Sequence, residues 1–234
     1  MPGTKTYTNF SLILCIFLSV MGLIILPLLL FQSAKFEVNF PNSKFLVGSS
    51  YSLVCLLGIV AVFYPKKCQN TFAFRQNATL ESKSRTGEGS DLILKGHHPT
   101  CRNFDGNRIK ICGFVFCSAC LGLLIGAIFA MIGTMLYFFF GTPFPLANLE
   151  ILLVGSGAML LGLVQFVFRS YVKLIVNSLF VLGSLLMLIS ADFISGSLLI
   201  DLYVVGMIVF LLLTRIMLSE WNNRKICLEC GSCD

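Results

Sequence analysis

Charged side chains are scarce in this sequence. Only 12% of its 234 residues are Asp, Glu, Lys or Arg, while 56% are hydrophobic. Soluble domains carry about 25% charged residues, so this chain lacks the polar surface that would cover a soluble globule. The composition predicts a protein that lies in a membrane.

Motifs of nucleotide-binding proteins and hydrolases are also missing. The sequence has no Walker loop, no dinucleotide fingerprint and no Ser-His-Asp candidate, and its only histidines are His97 and His98. If both histidines bind a metal, none remains as a general base. Whether the protein is an enzyme stays open, and a non-enzymatic role is favoured.

Six apolar runs fill most of the chain. Roughly 20 apolar residues in a helix cross a hydrocarbon core of ~30 Å. The runs cover residues 10–32, 46–64, 114–140, 149–168, 174–191 and 194–214. A signal peptide is the alternative for the first run, although no small-residue cleavage site follows it. The predicted fold is an all-α membrane protein with six transmembrane helices and a small cytoplasmic Cys/His hairpin insertion.

This pattern divides the chain into four parts. They are the first two transmembrane helices at 1–64, a polar loop at 65–116 that contains the hairpin, a four-helix transmembrane region at 114–215 and a Cys-rich tail at 216–234. All lysines and arginines except Lys35 and Lys44 fall on one side of this arrangement. Because positive loops stay in the cytoplasm, we expect both termini and the polar loop to face the cytoplasm of a cell (inner or plasma) membrane. The net charge of +6 then has a topological explanation, and no nucleic-acid partner is expected.

A group of metal-ligand residues precedes and opens the third run. Its members are His97, His98, Cys101, Cys117 and Cys120. Asp105-Gly106-Asn107 is a turn signal and predicts a hairpin between residues 101–104 and 108–111. That hairpin would fold the first three ligands over the C-x-x-C pair, giving a Cys3His or Cys2His2 set typical of zinc. Ordinary cytosolic thiols and loop histidines are the alternative.

The tail contains a second C-x2-C-x2-C pattern, made of Cys227, Cys230 and Cys233. It could hold a second metal, with Cys68, Cys112 or a histidine as the fourth ligand, or it could close over the first site. The spacing resembles the start of a ferredoxin-type run without its last cysteine and proline, so iron or an iron–sulfur cluster is the lesser alternative to zinc.

Two further interpretations compete with a structural metal. Cys117 and Cys120 lie at the start of a helix, beside basic residues, where a thiolate is favoured and thiol–disulfide exchange is possible. Asp192, Asp201 and Glu150 lie towards the other face, and an ionisable residue within a span is a mark of transporters. We expect Asp201 to point into the bundle, where it could also serve packing alone.

Close helix packing is predicted at the start of the third run. Gly122 and Gly126 form a small-xxx-small pattern of the kind that lets two membrane helices approach closely.

Two sequence elements together resemble a known family. They are a His-His-Pro-x-Cys-x-x-Phe segment at 97–104 and a Cys-x-x-Cys-x-Gly-x-x-x-Gly segment at 117–126. The chain is similar here to small bacterial and archaeal membrane proteins classified as domain of unknown function 2085. The resemblance covers about residues 95–190, including the positions Gln165, Asn177 and Gly183, and it departs at Ser118, Ala119 and Phe180. It implies that the His/Cys cluster is one unit, and it implies no activity.

The leading hypothesis is a membrane protein with a zinc-type site on its cytoplasmic face, structural or sensory in role. The alternatives are a membrane thiol–disulfide oxidoreductase that uses Cys117 and Cys120, and a transporter or channel subunit. The expected partners are the lipid bilayer and either further copies of the chain or another membrane protein.

Overall fold

The computed structural model describes residues 3–33, 42–63, 106–111, 114–144 and 148–230. Six α-helices dominate these ranges: α1 (Gly3–Ser33), α2 (Ser43–Phe63), α3 (Ser118–Thr134), α4 (Leu149–Leu163), α5 (Ser170–Ser195) and α6 (Leu198–Cys230). A two-stranded antiparallel hairpin, β1 (Arg108–Ile111) and β2 (Phe114–Cys117), precedes α3. A π-helical turn, Met135–Phe139, extends α3, and a 3-10 turn, Gln165–Val167, follows α4.

The helical fold class predicted from the sequence is confirmed. Five of the helices, all except α4, are long and apolar enough to cross a membrane. The α4 helix has 15 residues, which gives a length of about 22 Å at 1.5 Å per residue and falls short of the ~30 Å core. The fourth run was expected to continue to residue 168, but the α-helix ends at Leu163 and the chain tightens into the 3-10 turn.

Helix α5 occupies the centre of the bundle. In α5, 67% of the most apolar stretch is buried, against 28% in each of α1, α2 and α3. It packs against α3 on one side and α4 on another, and α6 also contacts it. The remaining helices leave large apolar side chains exposed along their outer faces, which suits contact with lipid.

Glycines set the closest helix contacts in this core. A Cβ at Gly126 of α3 would lie 2.9 Å from the main-chain oxygen of Ser178 in α5, and a Cβ at Gly122 would collide with the carbonyl of Leu174. Gly155 of α4 meets Gly183 of α5 in the same way, since a Cβ on either would lie 2.7 Å from the carbonyl oxygen of the other. The structure therefore places Gly122 and Gly126 at a tight α3–α5 crossing.

Contacts between the helices fix their directions. Helices α3 and α5 run parallel, because Gly122 contacts Leu174 while Gly133 contacts Leu185. Helix α6 runs back along α5, because Arg215 reaches Asn177 near the start of α5. We call the end where the β-hairpin lies the hairpin end of the bundle, and the other end the distal end.

The described hairpin joins β1 to β2, with Arg108 paired with Cys117 and Ile111 with Phe114. The first strand of the predicted hairpin, at 101–104, lies outside the described residues. Asn107 is only 9% exposed and belongs to a short 3-10 turn ahead of β1. Its main-chain and side-chain oxygens accept hydrogen bonds from Ser118 and Lys173, so Asn107 is not an exposed turn residue.

Two helices differ in extent from the apolar runs identified in the sequence. Residues 114–117 form β2, so α3 begins at Ser118. Helix α6 continues unbroken to Cys230 and so includes most of the segment 216–234 that was predicted as a Cys-rich tail. Arg215 and Lys173 lie inside helices and are 4% and 7% exposed, so neither belongs to a loop.

Candidate functional site

The C-x-x-C pair lies where the hairpin becomes a helix. Cys117 is the last residue of β2 and the N-cap of α3, with an extended backbone at φ −72° and ψ 119°, and Cys120 is in the first turn of α3. Both side chains are half-buried and in the thiol form. The two thiols lie within hydrogen-bonding contact of each other. A strand-to-helix transition thus places two sulfurs side by side at the helix N-terminus.

Asn107 fixes the hairpin against the helices. Its carbonyl oxygen accepts a hydrogen bond of 3.1 Å from the hydroxyl of Ser118, at the start of α3. Its side-chain oxygen accepts one of 2.6 Å from the ammonium of Lys173, in the first turn of α5. One amide residue therefore ties the hairpin to the starts of α3 and α5.

Arg215 is the most deeply enclosed cation at this end. Its guanidinium donates a 2.9 Å hydrogen bond to the side-chain oxygen of Gln165 and another to that of Asn177. The guanidinium carbon also lies 5.0 Å from the ring centre of Phe180, a cation–π contact. Its Nε has no hydrogen-bond partner among the described residues. Helix α5 and the 3-10 turn after α4 thus hold this arginine of α6 in place.

We call Lys173, Arg215, Asn107, Gln165 and Asn177 the basic cluster. The charged or ionisable groups that act on its two cations are the cations themselves and the thiols of Cys117 and Cys120. No carboxylate of the described residues belongs to that set. Two cations that share a buried site without a carboxylate attract negative charge. The thiols are the groups at this place that can supply it, because each becomes an anion on losing its proton.

Most of the other predicted metal ligands lie outside the described residues. His97, His98, Cys101 and Cys233 fall outside the described residues, as do Cys68 and Cys112. Cys227 and Cys230 belong to the last turns of α6, and nothing further is described of their side chains. Within the described ranges, no group of three or more His, Cys, Asp or Glu side chains is placed to hold a metal ion. The structure brings Cys117 and Cys120 together, and the remaining ligands stay predictions.

Sequence reasoning missed the two cations as site residues. Lys173 and Arg215 were used only to orient the chain, because basic residues at the ends of apolar runs are typical of cytoplasmic loops. Gln165 and Asn177 are the residues from which these buried cations could have been inferred. A polar side chain on each of several neighbouring helices, all near the same end, needs buried partners, and a nearby arginine is the natural one.

Comparison with known protein families, with curated proteins and with solved structures finds no match for the chain. The class that the described fold defines is a multi-pass helical protein, with five helices able to cross a membrane.

Proposed function

We propose that this protein is a membrane thiol–disulfide oxidoreductase whose redox pair is Cys117 and Cys120. One observation carries the proposal: the two thiols contact each other at a helix N-terminus, beside the buried cations Lys173 and Arg215. A helix N-terminus and neighbouring cations both stabilise a thiolate, which is the nucleophile of disulfide exchange. Contact between the sulfurs suits closure of a disulfide across the C-x-x-C turn.

The proposed reaction reduces a disulfide of another protein. The Cys117 thiolate, at the N-cap, attacks one sulfur of the substrate disulfide, forms a mixed disulfide and releases the other substrate sulfur as a thiolate. The Cys120 thiolate then attacks Cys117, closes the intramolecular disulfide and releases the second substrate sulfur. Two electrons pass to the substrate, and the two protons lost by the cysteines go to its sulfurs. Two equivalents of a cytosolic thiol return the pair to the reduced form.

We place the hairpin end in the cytoplasm. The support is the distribution of lysine and arginine, which are concentrated in the segments that flank this end. A reducing compartment favours the dithiol form, which agrees with a pair that donates electrons. Lys173 and Arg215 are two of the basic residues used in that argument, and both are buried in the bundle. The polar loop and Lys5 therefore carry most of the remaining signal.

A zinc-type site is the second candidate. The observation that favours it is the same contact between two thiols two residues apart, which is half of a tetrahedral ligand set. His97 or His98 together with Cys101 would complete the set, since the chain from these residues enters β1 within a few positions. Zinc would then fasten the polar loop onto the start of α3, with iron as the lesser alternative.

One preparation distinguishes the two candidates. Detergent-purified protein is equilibrated over a series of reduced-to-oxidised glutathione ratios and alkylated, and the oxidation state of Cys117 and Cys120 is read by mass spectrometry. The same sample is measured for zinc and iron. Cys117→Ser and Cys120→Ser are compared with Cys55→Ser, which replaces a buried cysteine of α2.

An oxidoreductase predicts a reversible disulfide between Cys117 and Cys120, with metal content well below one atom per chain. It also predicts that a wild-type chain reduces a model protein disulfide and that either site variant does not, while Cys55→Ser does. Stoichiometric zinc that is lost in both site variants, with no disulfide at any glutathione ratio, would reject the redox function and establish the metal site.

A further inference from the structure

The distal end of the bundle contains a second cluster of ionisable groups, separate from the thiols. Asp192 lies near the end of α5 and Asp201 near the start of α6, and they are 6% and 1% exposed. The carboxyl groups of the two residues lie in hydrogen-bonding contact. Gly196 permits this arrangement, because its left-handed backbone at φ +55° ends α5 and returns the chain into α6.

Two neighbouring elements each contribute a polar group to this pair. The phenol of Tyr137, at the end of the α3 segment, donates a 2.8 Å hydrogen bond to Oδ2 of Asp192. Lys44, at the start of α2, places its ammonium 3.6 Å from the same oxygen and 5.0 Å from the centre of the Tyr137 ring. We call Lys44, Tyr137, Asp192 and Asp201 the acidic cluster.

The two carboxyl groups differ in their partners. Asp192 has a hydroxyl donor and an ammonium beside it. Asp201 has neither, and its Oδ1 lacks any hydrogen-bond partner among the described residues. An ionised carboxylate buried in this way and in contact with a second carboxylate is unfavourable on both counts. A proton on Asp201 removes the charge and also supplies the hydrogen bond that joins the pair.

We propose that the acidic cluster is a proton-binding site, in which Asp201 holds one exchangeable proton and donates it in a hydrogen bond to a carboxyl oxygen of Asp192. The nearby Lys44 ammonium disfavours a metal cation at the same place. The side chain of Lys44 is 56% exposed, so the cluster extends to the surface of the described structure. The proton of Asp201 would then exchange with solvent through Asp192, on the side of the cluster where Lys44 lies.

The test uses the full chain reconstituted in lipid vesicles and infrared difference spectroscopy. A protonated carboxyl group gives its own C=O stretching band, which shifts when the vesicles are moved from H₂O to D₂O. The variants are Asp201→Asn and Glu150→Gln. Glu150 is a matched control, because it is an acidic residue near the same end but lies exposed in the first turn of α4.

The wild type at neutral pH should show a deuterium-sensitive carboxyl band equivalent to one proton per chain, and alkaline buffer should remove it. Asp201→Asn should lose the band, and Glu150→Gln should keep it. A wild-type spectrum without the band would overturn the proposal whether or not the variants fold. So would a band that persists in Asp201→Asn, or one that Na⁺ or Ca²⁺ displaces at constant pH, since displacement would indicate a metal-cation site.

Discussion

Replacing Gly122 with alanine should force α3 and α5 apart at their closest crossing. The new Cβ would collide with the main-chain oxygen of Leu174 and would lie 2.9 Å from Cβ of Asn177. A carbonyl in the middle of a helix cannot move alone, so the helix as a whole must shift. Asn177 also binds Arg215, and the disturbance therefore reaches the basic cluster.

The magnitude follows from a comparison with Gly157, in α4. A Cβ at Gly157 meets nothing within 4 Å, so Gly157→Ala should gain roughly 0.5–1 kcal/mol from helix propensity alone. Gly122→Ala gains the same propensity and loses about 1–3 kcal/mol through overpacking. Because propensity is common to both, Gly122→Ala should be less stable than Gly157→Ala by about 1–3 kcal/mol.

The assay is reversible unfolding in mixed micelles, followed by far-ultraviolet circular dichroism for both variants and the wild type. The rate of alkylation of Cys120 provides a second readout, and it should change in Gly122→Ala but not in Gly157→Ala. Equal stabilities for the two variants would show that α3 and α5 do not approach as closely as the structure has them. The close α3–α5 packing would then not be what positions Cys120 beside the basic cluster.

Three further changes test other contacts. Arg215→Met leaves the side-chain oxygens of Gln165 and Asn177 without their donor and should cost about 1–3 kcal/mol of unfolding free energy. Alkylation of Cys117 should also slow, and an unchanged alkylation rate would show that Arg215 does not act on the Cys117 thiol. Tyr51→Phe removes a 2.7 Å hydrogen bond with the Ser184 hydroxyl and a longer one of 3.3 Å to the carbonyl oxygen of Val181, and should cost about 0.6 kcal/mol for each bond in the same assay; an unchanged stability would contradict both contacts. Asn107→Ala should release the hairpin and speed its proteolysis with helical content unchanged, and a wild-type cleavage rate would show that other contacts hold it.

The helices could be predicted because their signal is local. Each apolar run follows from composition and length alone, and the five long helices agree with runs identified in the sequence. The tight helix crossing at Gly122 and Gly126 could also be predicted, since a small-xxx-small pattern indicates a closely packed neighbouring helix. The sequence could not predict that this neighbour is α5, because the pairing depends on how all the helices pack.

The basic cluster could not be predicted in the same way. Lys173 and Arg215 are 42 residues apart in the sequence, and each looks like an ordinary basic residue near the end of an apolar run. Only the fold shows that both are buried beside Cys117 and Cys120. The role of Asn107 was hidden for a similar reason: the sequence shows a residue of a turn signal, and only the fold shows that it accepts hydrogen bonds from Ser118 and Lys173.

The most direct test of the redox function is the oxidation state of the Cys117–Cys120 pair in intact cells. Cells are quenched in acid, free thiols are blocked with one alkylating reagent, disulfides are reduced, and the released thiols take a second, isotopically distinct reagent. We expect Cys117 and Cys120 to acquire the second label together after oxidant treatment, and the first label to return on recovery. Cysteines that carry only the first label throughout, in protein that retains zinc, would contradict the redox function.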